Sequence, residues 1–288
     1  MASGIDWANN WWPAPAKLNL VLNIVGRRAD GYHDIQTVFQ LLAVSDWLNF
    51  RLNNEGEVGL SCDSMVGDIE DNLVMKAAHL LKADSGTSKG ASIILKKTLP
   101  MGAGLGGGSS DAATTLVILN ELWDLKYSKD QLARLGATLG ADVPVFVIGK
   151  SAWAEGKGEV ITALELPSKW FVVVNSSIHC STKDVFNHNC LTRDSSAITI
   201  CDFLGGQNNN DCFAAVMEME EELAKVYKQF SLFGEVFLTG TGSSLFAVCE
   251  TRQEAVALSE QLPNQWDKWV VEGVNESPLH KALNLSFG

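Results

Sequence analysis

The sequence predicts an α+β protein of two domains, divided near residue 160. Three observations carry that reading. The chain has 288 residues, enough for one large or two medium domains with a sizeable core. A glycine-crowded stretch, Leu99 to Asp111, joins a strand-like segment to a helix-like one. Beyond residue 160, and setting aside one inserted helix, the segments run β-α-β-β-α-β, the ferredoxin-like arrangement.

Taken in order, Met1–Asn10 reads as an irregular leader and is set apart from the fold. Ala16–Val25 alternates as a strand with one buried face. Ala16, Leu18, Leu20, Leu22 and Ile24 fall on one side, and Lys17, Asn19, Val21, Asn23 and Val25 on the other. Lys17 and Asn19 are therefore expected to point the same way, one pleat apart. A turn at Asp30-Gly31 leads to Tyr32 and His33, and a strand over Trp47–Leu52 follows. Asp71–Lys82 reads as a helix, Ala91–Lys97 as a strand, and a helix opens near Ser109 and runs to about Trp123. Ser128 with Gln131 has capping-box spacing, and Leu132, Leu135 and Leu139 give the next helix its apolar face. Gly140 ends that helix, and Ala141-Asp142-Val143-Pro144 enters the apolar run Val145–Ile148. In the second half, strands are expected at Trp170–Val174, Val236–Leu238, Leu245–Val248 and Trp269–Glu272. Helices are expected at Thr182–His188 after Ser181, at Asn210–Gln229 and at Gln253–Gln261.

Composition narrows the function classes. Hydrophobic residues make up 46% and charged residues 19%, as in an ordinary globular protein. No segment approaches the ~20 apolar residues of a membrane span, and a basic, apolar secretory leader is absent. Six cysteines, Cys62, Cys180, Cys190, Cys201, Cys212 and Cys249, lack zinc spacing and read as reduced thiols of a cytoplasmic protein. The net charge of −12 argues against a nucleic-acid surface. An anionic substrate would then need local cations, available at Lys17, Arg27, Arg28, Lys96 and Lys97.

The glycine loop is Pro100-Met101-Gly102-Ala103-Gly104-Leu105-Gly106-Gly107-Gly108-Ser109-Ser110. Such a loop brings amide N–H groups close to phosphates, with a helix N-terminus behind them. Gly102, Gly104 and Gly107 satisfy G-x-G-x-x-G, but the dinucleotide version needs a parallel βαβ continuation, and here a second helix follows. The Walker pattern fails because no lysine precedes Ser109 or Ser110, and the protein-kinase motifs H-R-D and D-F-G are absent.

Three motifs then stand in a recognisable order: Pro15-Ala16-Lys17-Leu18-Asn19-Leu20, Pro100–Ser110, and Leu238-Thr239-Gly240-Thr241-Gly242-Ser243. Arg28-Ala29-Asp30-Gly31-Tyr32-His33, Gly140–Phe146 and Ser277-Pro278-Leu279-His280 extend the pattern from about Trp12 to Ala282. The chain resembles the GHMP small-molecule kinases. The resemblance implies a ribosomal-protein-S5-like ATP-binding domain over residues 12–160 and a ferredoxin-like domain over residues 161–288, with the site in the cleft between them. It implies transfer of the ATP γ-phosphate, with Mg2+, to the 2-hydroxyl of a cytidine-diphosphate-linked methylerythritol in non-mevalonate isoprenoid synthesis. The alternative acceptor is a smaller alcohol of the homoserine or mevalonate type.

By the same resemblance, Lys17 and Asp142 form the catalytic pair, and Pro100–Ser110 wraps the phosphates. Asn72 and Lys97 serve the adenine side, and Tyr32, His33, Thr182 and Phe186 hold the cytidine. By position alone Asp142 reads equally as a helix-end aspartate; the motif assigns it to chemistry. Tyr32 and Phe186 offer flat faces between which a base stacks, and Asn19 can hydrogen-bond an acceptor hydroxyl. Thr239, Gly240, Thr241 and Gly242 form a second close-approach turn toward loop and substrate. Ser110, Asp111 and Asp142 are candidates for Mg2+, without a defined ligand set.

Overall fold

Strands β1 (Trp12–Arg27) and β2 (His33–Asn53) form a long antiparallel hairpin across the Asp30-Gly31 turn. The computed structural model describes residues 9–53, 55–63 and 68–287, with side chains to residue 284. Residues 1–8 of the expected leader lie outside the described residues.

Both strands are longer than the sequence suggested. Lys17 and Asn19 do share a face, and their side chains meet at 2.5 Å. Register shifts then interrupt the pairing between Asn19 and Val21 and again between Ile24 and Gly26. A bulge of this kind turns the following side chains to the other face. Val21 therefore joins Val38 and Trp153 in the core instead of following Asn19. In β2 the run Thr37–Leu42 is buried throughout, so no alternation marks it as a strand.

The hairpin is extended by β3 (Val58–Cys62), α1 (Leu73–Ser85), β4 (Gly90–Lys96) and α2 (Gly107–Leu122). Then come α3 (Lys129–Ala137), α4 (Val143–Ile148), β5 (Ala152–Glu155) and β6 (Val160–Ala163). Asn72 caps α1 by accepting from the Val74 N–H, and Ser128 with Gln131 closes the expected capping box of α3. Helix α2 is buried almost all round between α1, α4 and the sheet, its polar Ser110, Asp111, Thr114, Thr115 and Asn120 included.

The second half contains β7 (Trp170–Asn175), α5 (Thr182–Asn187), α6 (Ile200–Leu204), α7 (Phe213–Met219) and α8 (Glu221–Phe230). It closes with β8 (Phe237–Leu238), β9 (Leu245–Cys249), α9 (Arg252–Gln261), β10 (Asp267–Val274) and α10 (Pro278–Phe287). The strand order β10-β7-β9-β8 is the ferredoxin-like order. The expected helix 210–229 is two helices, because the backbone leaves helical geometry at Glu220 (φ −122°, ψ 83°). Its apolar period runs on through both pieces, from Val216 to Leu223 and Phe230, and so hides the break. Strand β10 also pairs with β2 at Leu41 and Leu42, joining the sheets of the two halves edge to edge. No helix among the described residues is long and apolar enough to cross a membrane.

The Ser277–His280 motif has a structural task. The His280 Nε2–H donates to the Val147 carbonyl at 3.0 Å, tying α10 to the end of α4. Gly149, at φ +72°, leaves the room: a Cβ there would lie 1.8 Å from the ring. Burial, aided by Lys129, pushes the His280 pKa down to about 4. The folded ring thus stays neutral while the unfolded one protonates below about 6.5. Stability is full above that pH and falls as pH drops toward 4. Wild type is expected to lose about 2 kcal/mol through this group between pH 7.5 and 5. Urea denaturation of wild type and His280→Gln at both pH values checks it: equal losses would reject the assignment.

Candidate active site

Three structural units converge on one ammonium. Lys17, 3% exposed on β1, directs Nζ to Asn19 Oδ1 at 2.5 Å, to the Gly104 carbonyl at 3.1 Å and to Asp142 Oδ2 at 3.1 Å. Its backbone N–H donates to Leu105 O at 3.0 Å, so the strand and the glycine loop are stitched together at this point. Asp142 sits at the N-terminus of α4 but makes no capping bond with its side chain. A helix-end aspartate would spend its carboxylate on the helix amides. This one faces Lys17 and remains partly open, its side chain 31% exposed.

The two glycine-rich loops close over the same place. Thr239 Oγ1 accepts from the Asn19 N–H at 2.9 Å and donates to Gly104 O at 3.3 Å. Asn210 Nδ2 donates to the carbonyls of Leu238 and Gly240 and holds this second loop in shape. Gly104 (φ +77°) and Gly106 (φ +73°) adopt left-handed conformations that glycine alone takes without strain. Thr239 and Gly240 therefore lie against the first loop and Asn19; the Gly242 carbonyl also backs onto Gly104, and its Cα side faces Cys180 and Leu238.

Two cavities flank the Lys17–Asp142 pair. One, of about 380 Å³, is lined by every residue from Pro100 to Ser109, with Asn72, Lys97, Asp111 and Thr182. Backbone N–H groups at the start of α2 belong to its wall, as an anion requires. Ser110 lies beneath, and its Oγ is buried without a partner among the described residues. The other cavity, of about 840 Å³, is lined by Tyr32, His33, Thr182 and Phe186 together with Ala141, beside Asp142. Thr182 belongs to both, and its hydroxyl meets that of Thr241 at 3.0 Å.

The aromatic end is more organised than two bare faces. His33 stacks on Phe186 with centroids 5.2 Å apart, and Lys157 stands 3.9 Å over the Tyr32 ring. Burial, Arg193 and Arg27 hold the His33 pKa below its usual value, which keeps the ring neutral. Its Nε2 is buried with no hydrogen-bond partner among the described residues. An imidazole nitrogen buried without a partner costs free energy until a polar group reaches it.

Lys97 lines the 380 Å³ cavity as expected, but it is also clamped by Asp46 and, at 2.8 Å, by Asp111. Burial alone would lower its pKa; Asp111 and Asp46 more than offset that and raise it. Burial pushes the Asp111 carboxyl up to about 7 against the pull of Lys97. Asp111 thus turns Oδ2 to Lys97, while its Oδ1 is buried with no partner among the described residues. Asp46, Lys157 and Asn210 escaped the sequence reading. Gly156-Lys157-Gly158 carried a local hint in its flanking glycines, both of positive φ. Asp46 and Asn210 carried none.

Residues 72–150 match the GHMP kinases N terminal domain and residues 192–268 the GHMP kinases C terminal domain. The chain belongs to the GHMP kinases. Its branch within them is that of the 4-diphosphocytidyl-2-C-methyl-D-erythritol kinases. The protein of that name from Methylococcus capsulatus is 50% identical over 273 residues, 94% of each chain. The one from Shewanella loihica is 44% identical over 277 residues, 96% of each. A crystal structure of 4-(cytidine 5'-diphospho)-2C-methyl-D-erythritol kinase superposes with a TM-score of 0.78 at 31% identity, covering 92% of this chain and all of that one. A mevalonate kinase structure shares the fold at 14% identity and a TM-score of 0.68 over 93% of this chain and all of that one.

Proposed function

We propose that this protein transfers the γ-phosphate of ATP to the 2-hydroxyl of 4-diphosphocytidyl-2-C-methyl-D-erythritol, giving the 2-phosphate and ADP. The observation that carries the reading is the Lys17–Asp142 pair set between a glycine-walled cavity and an aromatic one. The first suits a triphosphate and the second a nucleobase, so the reacting ends of two bound molecules meet at the pair. We take the domains to divide near residue 160. The six cysteines, all free thiols, favour a cytoplasmic setting.

Phosphoryl transfer asks mainly for positioning and for neutralisation of developing charge. Asp142 accepts the hydrogen bond of the acceptor hydroxyl and takes its proton as the oxygen bonds to the γ-phosphorus, while the bond from that phosphorus to the β–γ bridging oxygen breaks and ADP leaves. Lys17 fixes that carboxylate and, with its three hydrogens directed at protein oxygens, stabilises charge on the transferred group through its field. Asn19 orients Lys17 through Oδ1. Mg2+, when bound, supplies further charge neutralisation at the phosphates. The unpartnered Ser110 Oγ fits a ligand role toward it, with phosphates and waters filling most of the shell.

At the aromatic end, the cytosine stacks on the Tyr32 and Phe186 faces and meets the His33 edge. Removing one stacking ring costs about 1–3 kcal/mol per base. Phe186→Ala is therefore expected to raise the acceptor KM about 10-fold or more with little change in kcat. An unchanged KM would reject the stacking role. The reaction itself is tested by ADP release with the cytidyl acceptor against mevalonate, homoserine and galactose. Turnover with only one of the latter three would overturn the assignment.

A further inference from the structure

Behind the glycine loop lies a charged cluster that the chemistry above leaves unused. Asp46, fully buried on β2, accepts the N–H groups of Thr98 at 2.5 Å and Leu99 at 2.8 Å through Oδ1. Its Oδ2 accepts from Lys97 Nζ. One carboxylate thus fixes three successive residues just ahead of Pro100. Lys97 then reaches across to Asp111 Oδ2 on α2, so one ammonium links the chain on both sides of the loop. The cluster backs directly onto the loop: a Cβ at Gly107 would lie 3.3 Å from Asp46 Oδ2 and 3.4 Å from Lys97 Nζ.

The charges do not balance. Two carboxylates face one ammonium, and Asp111 Oδ1 is buried with no partner among the described residues. Buried charge of this kind is tolerated only where its partners are fixed. Lys97 also lines the cavity, so it is the cation nearest to hand for a bound nucleotide.

We propose that Asp46 is a positioning residue that sets Lys97 and the start of the loop for the nucleotide, while Asp111 competes for the same ammonium and weakens nucleotide binding. The inference rests on the ATP reading of the 380 Å³ cavity. The two carboxylates act with opposite sign. Asp46 holds the backbone and the lysine together, and its loss frees both. Asp111, half protonated near pH 7 because burial raises its pKa to about 7, adds negative charge behind a site for an anion once it ionises, and it holds nothing of the loop itself.

Amide substitution separates them, because it removes charge and keeps shape. Asp46→Asn is expected to weaken binding of Mg2+–ADP at least about 10-fold, since its amide N–H now faces Lys97. Asp111→Asn still accepts from Lys97 through its amide oxygen and, at about pH 8 where the wild-type carboxyl is ionised, is expected to tighten binding about 3- to 10-fold. Calorimetry with Mg2+–ADP reads both, and CDP serves as the control ligand for the aromatic pocket, with unchanged affinity in both variants. Opposite shifts with unchanged CDP binding support the proposal; a merely structural role would weaken both ligands in both variants. Should Asp111→Asn fail to fold, Asp111→Ser removes the same charge and carries the same expectation. Shifts in the same direction, or none for the Asp111 variant, overturn it. Wild type that binds CDP but not ADP would instead sink the kinase reading and this inference with it.

Discussion

Asp142→Asn is expected to lower kcat about 10³-fold while ADP and CDP bind as they do to wild type. The amide keeps the shape beside Lys17 and loses both the negative charge and the proton acceptor. Lys17 has no spare hydrogen to compensate, since its three are directed at Asn19 Oδ1, Gly104 O and Asp142 Oδ2. Two of those three partners belong to the scaffold, so the ammonium stays in place in the variant and the effect isolates the carboxylate. Stability should change little, because Asp142 neither caps α4 nor is fully buried. The check is single-turnover phosphate transfer together with calorimetry on both ligands. A fall in kcat below about 10-fold would reject Asp142 as the group that handles the proton. Loss of ADP binding alongside turnover would assign it to the nucleotide instead.

The legible parts of this site were those written in local sequence. Alternation placed Lys17 and Asn19 on one face, and their side chains do touch. Capping chemistry marked Ser128 and Gln131, and glycine density marked the loop itself. Tertiary pairings left no such trace. Asp46 stands in a strand 51 residues before Lys97, and nothing around it distinguishes a clamp from a solvated carboxylate. Thr182 looked like a residue of the base pocket, and only the fold places it on the wall of both cavities. The bulge after Asn19 was equally silent, since inserting one residue into a register leaves the residue types unchanged. His280, by contrast, was legible as a motif and illegible as a role. Its ring supports α4 from behind, and α4 presents Asp142 at its other end.

Gly104→Ala tests the joint on which the whole site depends, and a large loss of kcat/KM is expected, about 10²-fold or more. At φ +77° a side chain strains the backbone by about 1–2 kcal/mol. The greater effect is steric. A Cβ at Gly104 would lie 2.5 Å from Thr239 O and 2.9 Å from Gly242 O, both backbone atoms of the second loop. Neither can swing aside as a side-chain tip can, so the two loops must move apart. The Gly104 carbonyl would move with them, and it is a partner of both Lys17 Nζ and Thr239 Oγ1. The Lys17 ammonium and the glycine loop thus lose register together, and KM for ATP should rise as kcat falls. Gly108→Ala is the matched control. Gly108 is helical, and its added Cβ would meet only Leu73 Cδ1, at 3.4 Å. That variant leaves the contact between the two loops intact, so kcat should stay within about 3-fold, and any effect of the new Cβ on the cavity it lines falls on KM for ATP. If glycine content alone mattered, the two substitutions would behave alike. If close approach of the loops matters, only Gly104→Ala loses kcat, and wild-type kcat/KM in the Gly104 variant would break the link between the loops and Lys17.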